Sequence, residues 1–71
     1  MDRDYVSSSN LRSVGYDPED EILEIEFHSG SIYQYFNVPE YRYEGLMNAS
    51  SKGSYFDAYI KKGSYRYRRI R

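Results

Sequence analysis

Ile22-Leu-Glu-Ile-Glu-Phe-His28, Ser29-Gly30 and Ile32-Tyr-Gln-Tyr-Phe-Asn-Val38 are the three pieces on which the fold turns. The first alternates apolar and acidic residues with period two, the pattern of a half-buried strand. The second reads as a two-residue hairpin loop, with Gly30 free to take positive φ. Such a loop sets Phe27 opposite Ile32, Ile25 opposite Gln34 and Leu23 opposite Phe36. One face then collects Leu23, Ile25, Phe27, Ile32 and Phe36. The other sets Glu24 against Tyr35 and Glu26 against Tyr33. A slip of one residue would mix the two sets. In this register Tyr33 and Tyr35 point away from the main core.

Working outward, Leu11-Arg-Ser-Val-Gly-Tyr16 is a further strand, closed by the turn Asp17-Pro18-Glu19-Asp20 with proline at its second position. A four-residue loop there pairs Tyr16 with Leu23 and Val14 with Ile25. Downstream, Pro39 ends the strand and suits a first helical turn. Glu40 to Ala49 reads as helix, with Tyr43, Leu46 and Met47 on its apolar stripe and Gly45 weakening it. Asn48 to Gly53 reads as a linker. Ser54 resembles an N-cap with Asp57 three residues on, opening a second helix that buries Phe56, Tyr59 and Ile60 and stops at Gly63. Tyr65 to Ile70 is a last strand. The predicted architecture is α+β: a three-stranded antiparallel meander, two short helices and a C-terminal strand (βββααβ). Residues 1–9, with Ser7, Ser8 and Ser9, are expected to be a flexible arm, and 10–71 a single domain.

Composition narrows the function. The chain has 71 residues, 18% of them aromatic, with ten Tyr, three Phe and no Trp. That allows one small core, and tyrosine rings must fill much of it. The absence of Cys excludes disulfides, thiolate metal sites and a cysteine nucleophile. No apolar run reaches membrane-span length, and the acidic start Met1-Asp2-Arg3-Asp4 lacks an export signal, so a cytoplasmic location away from membranes is expected. His28 is the only histidine, which is a poor metal or nucleophile-activating set. The acids Asp17, Glu19, Asp20 and Glu21 lack calcium-loop spacing. No phosphate loop or nucleophile elbow appears, so neither an enzyme nor a bound cofactor is expected.

Two charge blocks stand apart. Six acids and no base lie between Asp17 and Phe27, and six bases and no acid between Ile60 and Arg71, for a net charge of −1. The blocks either pair within the fold or leave one facing a partner. Tyr33-Gln34-Tyr35 sets two rings side by side, the spacing of base-stacking sheets. Tyr65, Arg66, Tyr67, Arg68, Arg69 and Arg71 interleave rings with guanidinium groups, which bind phosphate and stack on aromatics. With Lys61 and Lys62 these residues form the candidate nucleic-acid-binding set. The alternative is that Tyr33 and Tyr35 form a second small core beneath the helices. Tyr16, Tyr43 and Tyr59 fall on buried stripes, and Tyr5 falls in the arm.

Ser8-Ser-Asn-Leu-Arg-Ser-Val-Gly-Tyr-Asp17, Leu23-Glu-Ile-Glu-Phe-His-Ser-Gly30, Tyr33-Gln-Tyr35 and Ser51-Lys-Gly-Ser-Tyr-Phe56 occur here in order. In these motifs, over about Val6 to Ile70, the chain resembles the KTSC domain. That family is known from the C-terminus of some lysyl-tRNA synthetases and from small free-standing bacterial and phage proteins. Its central tyrosine pair matches Tyr33 and Tyr35; the synthetase context has suggested RNA binding for the family, but with no synthetase catalytic domain here a tRNA role is not carried over by that context. The expected function is therefore a small non-catalytic module binding RNA or single-stranded nucleic acid. The alternatives are a module for a protein partner or a homodimer, or one that captures an anionic nucleotide-like ligand.

Overall fold

The computed structural model describes residues 1–71. Its sheet has five antiparallel strands in chain order: β1 (Asp4–Tyr5), β2 (Leu11–Asp17), β3 (Ile22–Phe27), β4 (Ile32–Tyr35) and β5 (Tyr67–Arg69). The helix α1 (Glu40–Asn48), the short α2 (Lys52–Tyr55) and a π-helical turn (Phe56–Lys61) connect β4 to β5. The α+β class and the helices-then-strand ending agree with the sequence. Four strands precede the helices rather than three, because part of the expected arm pairs with β2, Asp4 facing Val14 and Tyr5 facing Ser13.

The turn after β2 behaves as its residues dictate. An Asp17 carboxylate oxygen accepts from the backbone N–H groups of Glu19 and Asp20 at 3.0 and 3.3 Å, an Asx turn. Tyr16 pairs with Leu23 and Val14 with Ile25, as predicted. Further along, Arg12 is an extra residue between the Leu11–Phe27 and Ser13–Glu26 pairs, a β-bulge that keeps Leu11 on the core side.

The β3–β4 hairpin departs from the predicted register by one residue. Gly30 N–H donates to the Phe27 carbonyl at 2.9 Å, and Phe27 N–H to the Ser31 carbonyl at 2.9 Å, with Gly30 at φ 96°. This is a three-residue loop with the glycine as its left-handed residue, not a two-residue one. Leu23 therefore faces Tyr35, Ile25 faces Tyr33, and Glu26 faces Ile32. Because side chains alternate, the slip exchanges faces. Tyr33 and Tyr35 join the core side, while Ile32 and Gln34 share the other face with Glu24 and Glu26. The expectation that the tyrosine pair points away from the core is overturned.

The main core packs Leu11, Val14, Leu23, Ile25, Tyr35 and Val38 of the sheet side against Leu46, Phe56 and Ile60 of the helical side. Tyr16 stacks on Tyr43 at 4.9 Å with planes 9° apart, and its hydroxyl donates to the Val38 carbonyl at 2.5 Å. The second helix starts earlier than expected. Ser51, not Ser54, is the N-cap, accepting from Ser54 N–H at 3.4 Å, so part of the predicted linker is helical. The following π turn, with Lys62 N–H donating to the Asp57 carbonyl at 3.2 Å, buries Phe56 and Ile60 but leaves Tyr59 46% exposed. Tyr59 is therefore not a core residue.

The reverse face of the sheet carries a polar network. Arg3, brought in by the N-terminal segment, ion-pairs with Glu24, which is 4% exposed, and its Nε donates to the Ser13 hydroxyl at 2.9 Å. Ser13 in turn donates to Glu26 at 2.7 Å, and Gln34 donates to Glu24 at 2.8 Å. Glycine is required at position 15, where a Cβ would lie 2.5 Å from the Asp2 carbonyl oxygen beneath the same segment.

Candidate nucleic-acid interface

The helices cover only part of the core face, and near β4, β5 and the π turn they leave an open groove of about 490 Å³. Tyr33, Tyr35, Phe27 and Phe56 form its aromatic lining, with Tyr67 at the mouth. Strand register explains the cluster: β5 sets Tyr67 opposite Tyr35 and Arg69 opposite Tyr33. The three tyrosine rings lie 5.8 to 6.3 Å apart between centroids. Phe27 meets Tyr33 and Phe56 edge-on, and Phe56 does the same to Tyr35 at 5.5 Å.

Exposure differs sharply within the cluster. Tyr35 is 7% exposed and belongs to the core, Tyr33 is half-buried, and Tyr67 is 64% exposed. Burial, with the Tyr33 and Tyr67 phenols beside it, pushes the Tyr35 hydroxyl up to about 12, so it stays protonated at neutral pH. A flat two-ring platform centred on Tyr33 and Tyr35 does not exist. The available surface is a slot, with Tyr35 at its base and Tyr67 at its rim.

The other candidate residues divide. Lys61 lines the slot, and Lys62 pairs with Asp57 at 3.3 Å. Arg69 belongs to the slot's face of the sheet, whereas Arg68 lies opposite Gln34 and so takes the reverse face. Arg66 and Arg71 pair with the sheet through their backbone carbonyls, Arg66 with Phe36 N–H at 2.9 Å and Arg71 with Ile32 N–H at 3.0 Å. Tyr65 is not part of the slot. With Tyr41, Tyr55 and Tyr59 it surrounds Arg42, whose guanidinium lies 5.1 Å from the Tyr41 ring centre and 4.6 Å from that of Tyr59. The Tyr55 hydroxyl beside it, then that of Tyr65, raises the Arg42 pKa further.

The two charge blocks do not neutralise each other. The fold contains two ion pairs, Arg3–Glu24 and Lys62–Asp57, and neither joins the acidic block to the basic one. Lys61, Arg66, Arg68, Arg69 and Arg71 are exposed and have no acid partner. Sequence reasoning missed four slot residues. Phe27 and Phe56 read as plain core and Asp57 as a capping residue, and nothing in its local sequence marks Asn10.

A sheet with helices over part of one face and an aromatic slot at their margin defines a small α+β module with a ligand-sized recess. The chain belongs to the KTSC domain family, whose profile matches residues 7–67. It is 49% identical over 70 residues to an uncharacterized protein of Stutzerimonas stutzeri, covering 99% of both chains. It is 45% identical over 62 residues to a lysine–tRNA ligase of Nostoc, where the match spans 87% of this chain but 11% of the ligase. The crystal structure of a KTSC domain protein from Yersinia pestis superposes with a TM-score of 0.93 at 46% identity, covering 99% of this chain and 97% of that one. No helix is long and apolar enough to cross a membrane.

Proposed function

We propose that this protein is a non-catalytic cytoplasmic module that binds single-stranded nucleic acid, RNA foremost. One base enters the aromatic slot, and the backbone runs along the basic C-terminal segment. The observation that carries the reading is the meeting of Tyr33, Tyr35 and Tyr67 around an open groove lined by Lys61, with Arg69 opposite Tyr33 in the sheet and neither cation holding an acid partner. A base stacked on such rings gains about 1–3 kcal/mol whatever its identity, and cations beside it take the phosphates. The occurrence of similar sequence within proteins named lysine–tRNA ligases favours RNA over DNA.

Titration of a labelled single-stranded RNA pool, followed by fluorescence anisotropy at about 50 and 200 mM salt, tests the reading. If three cations engage phosphate, affinity falls by roughly tenfold or more between the two. Tyr67→Ala is expected to weaken binding by about tenfold, the loss of one stacked base, with little change in melting temperature because the ring is 64% exposed. No binding of RNA or single-stranded DNA at low salt overturns the reading. A second reading, pairing with a protein or a second copy, rests on the three-residue strand β5, which has a neighbour on one side only. Light scattering that shows a monomer at high concentration removes its homodimer form.

A further inference from the structure

We infer that the slot is selective for guanine, with Asp57 reading the base edge; this rests on the nucleic-acid reading above. Beyond its rings the slot has three polar lining residues, Asn10, Asp57 and Lys61. Asp57 follows Phe56, whose buried ring packs against Tyr35 and Phe27, so the carboxylate is carried to the slot on a fixed backbone. Its side chain is 50% exposed, and Lys62 approaches only Oδ2, at 3.3 Å. Oδ1 is left without a partner, and Oδ2 keeps a lone pair.

A carboxylate only accepts hydrogen bonds, through two oxygens side by side. Guanine alone among the four RNA bases presents two adjacent donors, the ring N1–H and the exocyclic amine, on its Watson–Crick edge. Adenine and cytosine place a ring acceptor beside their amine, and that lone pair would face the carboxylate. Uracil offers one N–H between two carbonyls. Guanine's remaining edge atom, O6, needs a donor. Lys61 lies along the same π turn as Asp57 and can donate to it. Asn10 also lines the slot, its backbone fixed by His28 N–H donating to its carbonyl at 3.1 Å and by its own N–H donating to the Ser8 hydroxyl at 3.2 Å. Its side-chain amide makes no hydrogen bond within the fold and can donate to O6 or N7. The stacking rings tolerate any base; the carboxylate supplies the discrimination.

The test uses five-nucleotide RNAs of uridines with guanine, adenine, cytosine, uridine or inosine at the centre, titrated at low salt by anisotropy. Guanine is expected to bind about tenfold more tightly than adenine, cytosine or uridine, the order of one bidentate base contact. Inosine, which keeps N1–H but lacks the amine, falls between. Asp57→Asn, at a half-exposed position, is expected to abolish the guanine preference, bringing the affinities for guanine, adenine, cytosine and uridine to within about twofold of one another. Equal affinity for all five, or a guanine preference that survives Asp57→Asn, overturns the inference while the nucleic-acid reading stands. Failure of every oligomer to bind overturns both.

Discussion

Tyr35 lies 7% exposed between Phe56 and two other phenols, and its chemistry follows from that position. Ionising it inside the fold is costly, so its folded pKa stands at about 12, against 10.0 for an unperturbed phenol. The unfolded chain releases this proton first. Tyr35 therefore contributes stability that is fully present below pH 10 and lost as pH rises through about 12. Tyr16 moves in the same direction, chiefly through burial. Urea midpoints measured between pH 9 and 12 are expected to fall with rising pH, and Tyr35→Phe should flatten that fall. An absorbance titration should show one phenol ionising near the top of this range, and that ionisation should vanish in Tyr35→Phe. The same ring accounts for the largest misreading of the sequence. A two-residue loop turns Tyr33 and Tyr35 away from the main core, whereas His28-Ser29-Gly30 closes the hairpin with three residues and turns them toward it. Nothing in Ser29-Gly30 separates the two loops, and one residue of register decides a face.

At the scale of elements, local signals were sound where a single chemistry governed them. The turn at Asp17-Pro18, the Tyr16–Leu23 and Val14–Ile25 pairs of β2 and β3, and the apolar stripe of α1 are readable. The second helix was not, since Ser51 and Ser54 both suit an N-cap and only the fold selects Ser51. Nor does a sequence pattern with period 3.6 announce a π turn, so the pattern puts Tyr59 inside while the structure leaves it 46% exposed. Gly45 read as a weakness of α1, yet it is where Tyr55 crosses the helix. A Cβ there would sit 2.1 Å from the Tyr55 hydroxyl and 2.6 Å from the ring. Tyr55 is in turn held against Tyr59, with ring centres 4.6 Å apart. Gly45→Ala is thus expected to destabilise by about 1–2 kcal/mol, overpacking outweighing the ~1 kcal/mol gained in helix propensity. In a Tyr55→Ala background the same change should become neutral or stabilising, and thermal melts of the four proteins would show the change of sign.

Across the whole molecule the ten tyrosines sort by neighbourhood. Tyr16 and Tyr43 stack against the core, Tyr33, Tyr35 and Tyr67 build the slot, and Tyr41, Tyr55, Tyr59 and Tyr65 surround Arg42. Tyr5 is 83% exposed on the edge strand. Charge sorts differently from expectation, because the buried acid Glu24 takes its partner from the N-terminus rather than from the C-terminal block. Arg3→Ala strands a 4% exposed carboxylate and should cost about 2 kcal/mol or more. Adding Glu24→Gln should recover most of that loss, and a double-mutant cycle by urea unfolding would measure the coupling. The slot itself depends on β5, three residues that reach the sheet only after both helical pieces have been laid down. Pairing so distant in sequence closes late, and a strand so short frays at little cost to the core beneath it. On the proposed reading, recognition of a base depends on the docking of that one sheet edge. The slot can open and re-form while the β2–β4 meander stays folded, and a base bound as proposed, by bridging Tyr67 to Tyr33, would act as the clasp that holds that edge shut.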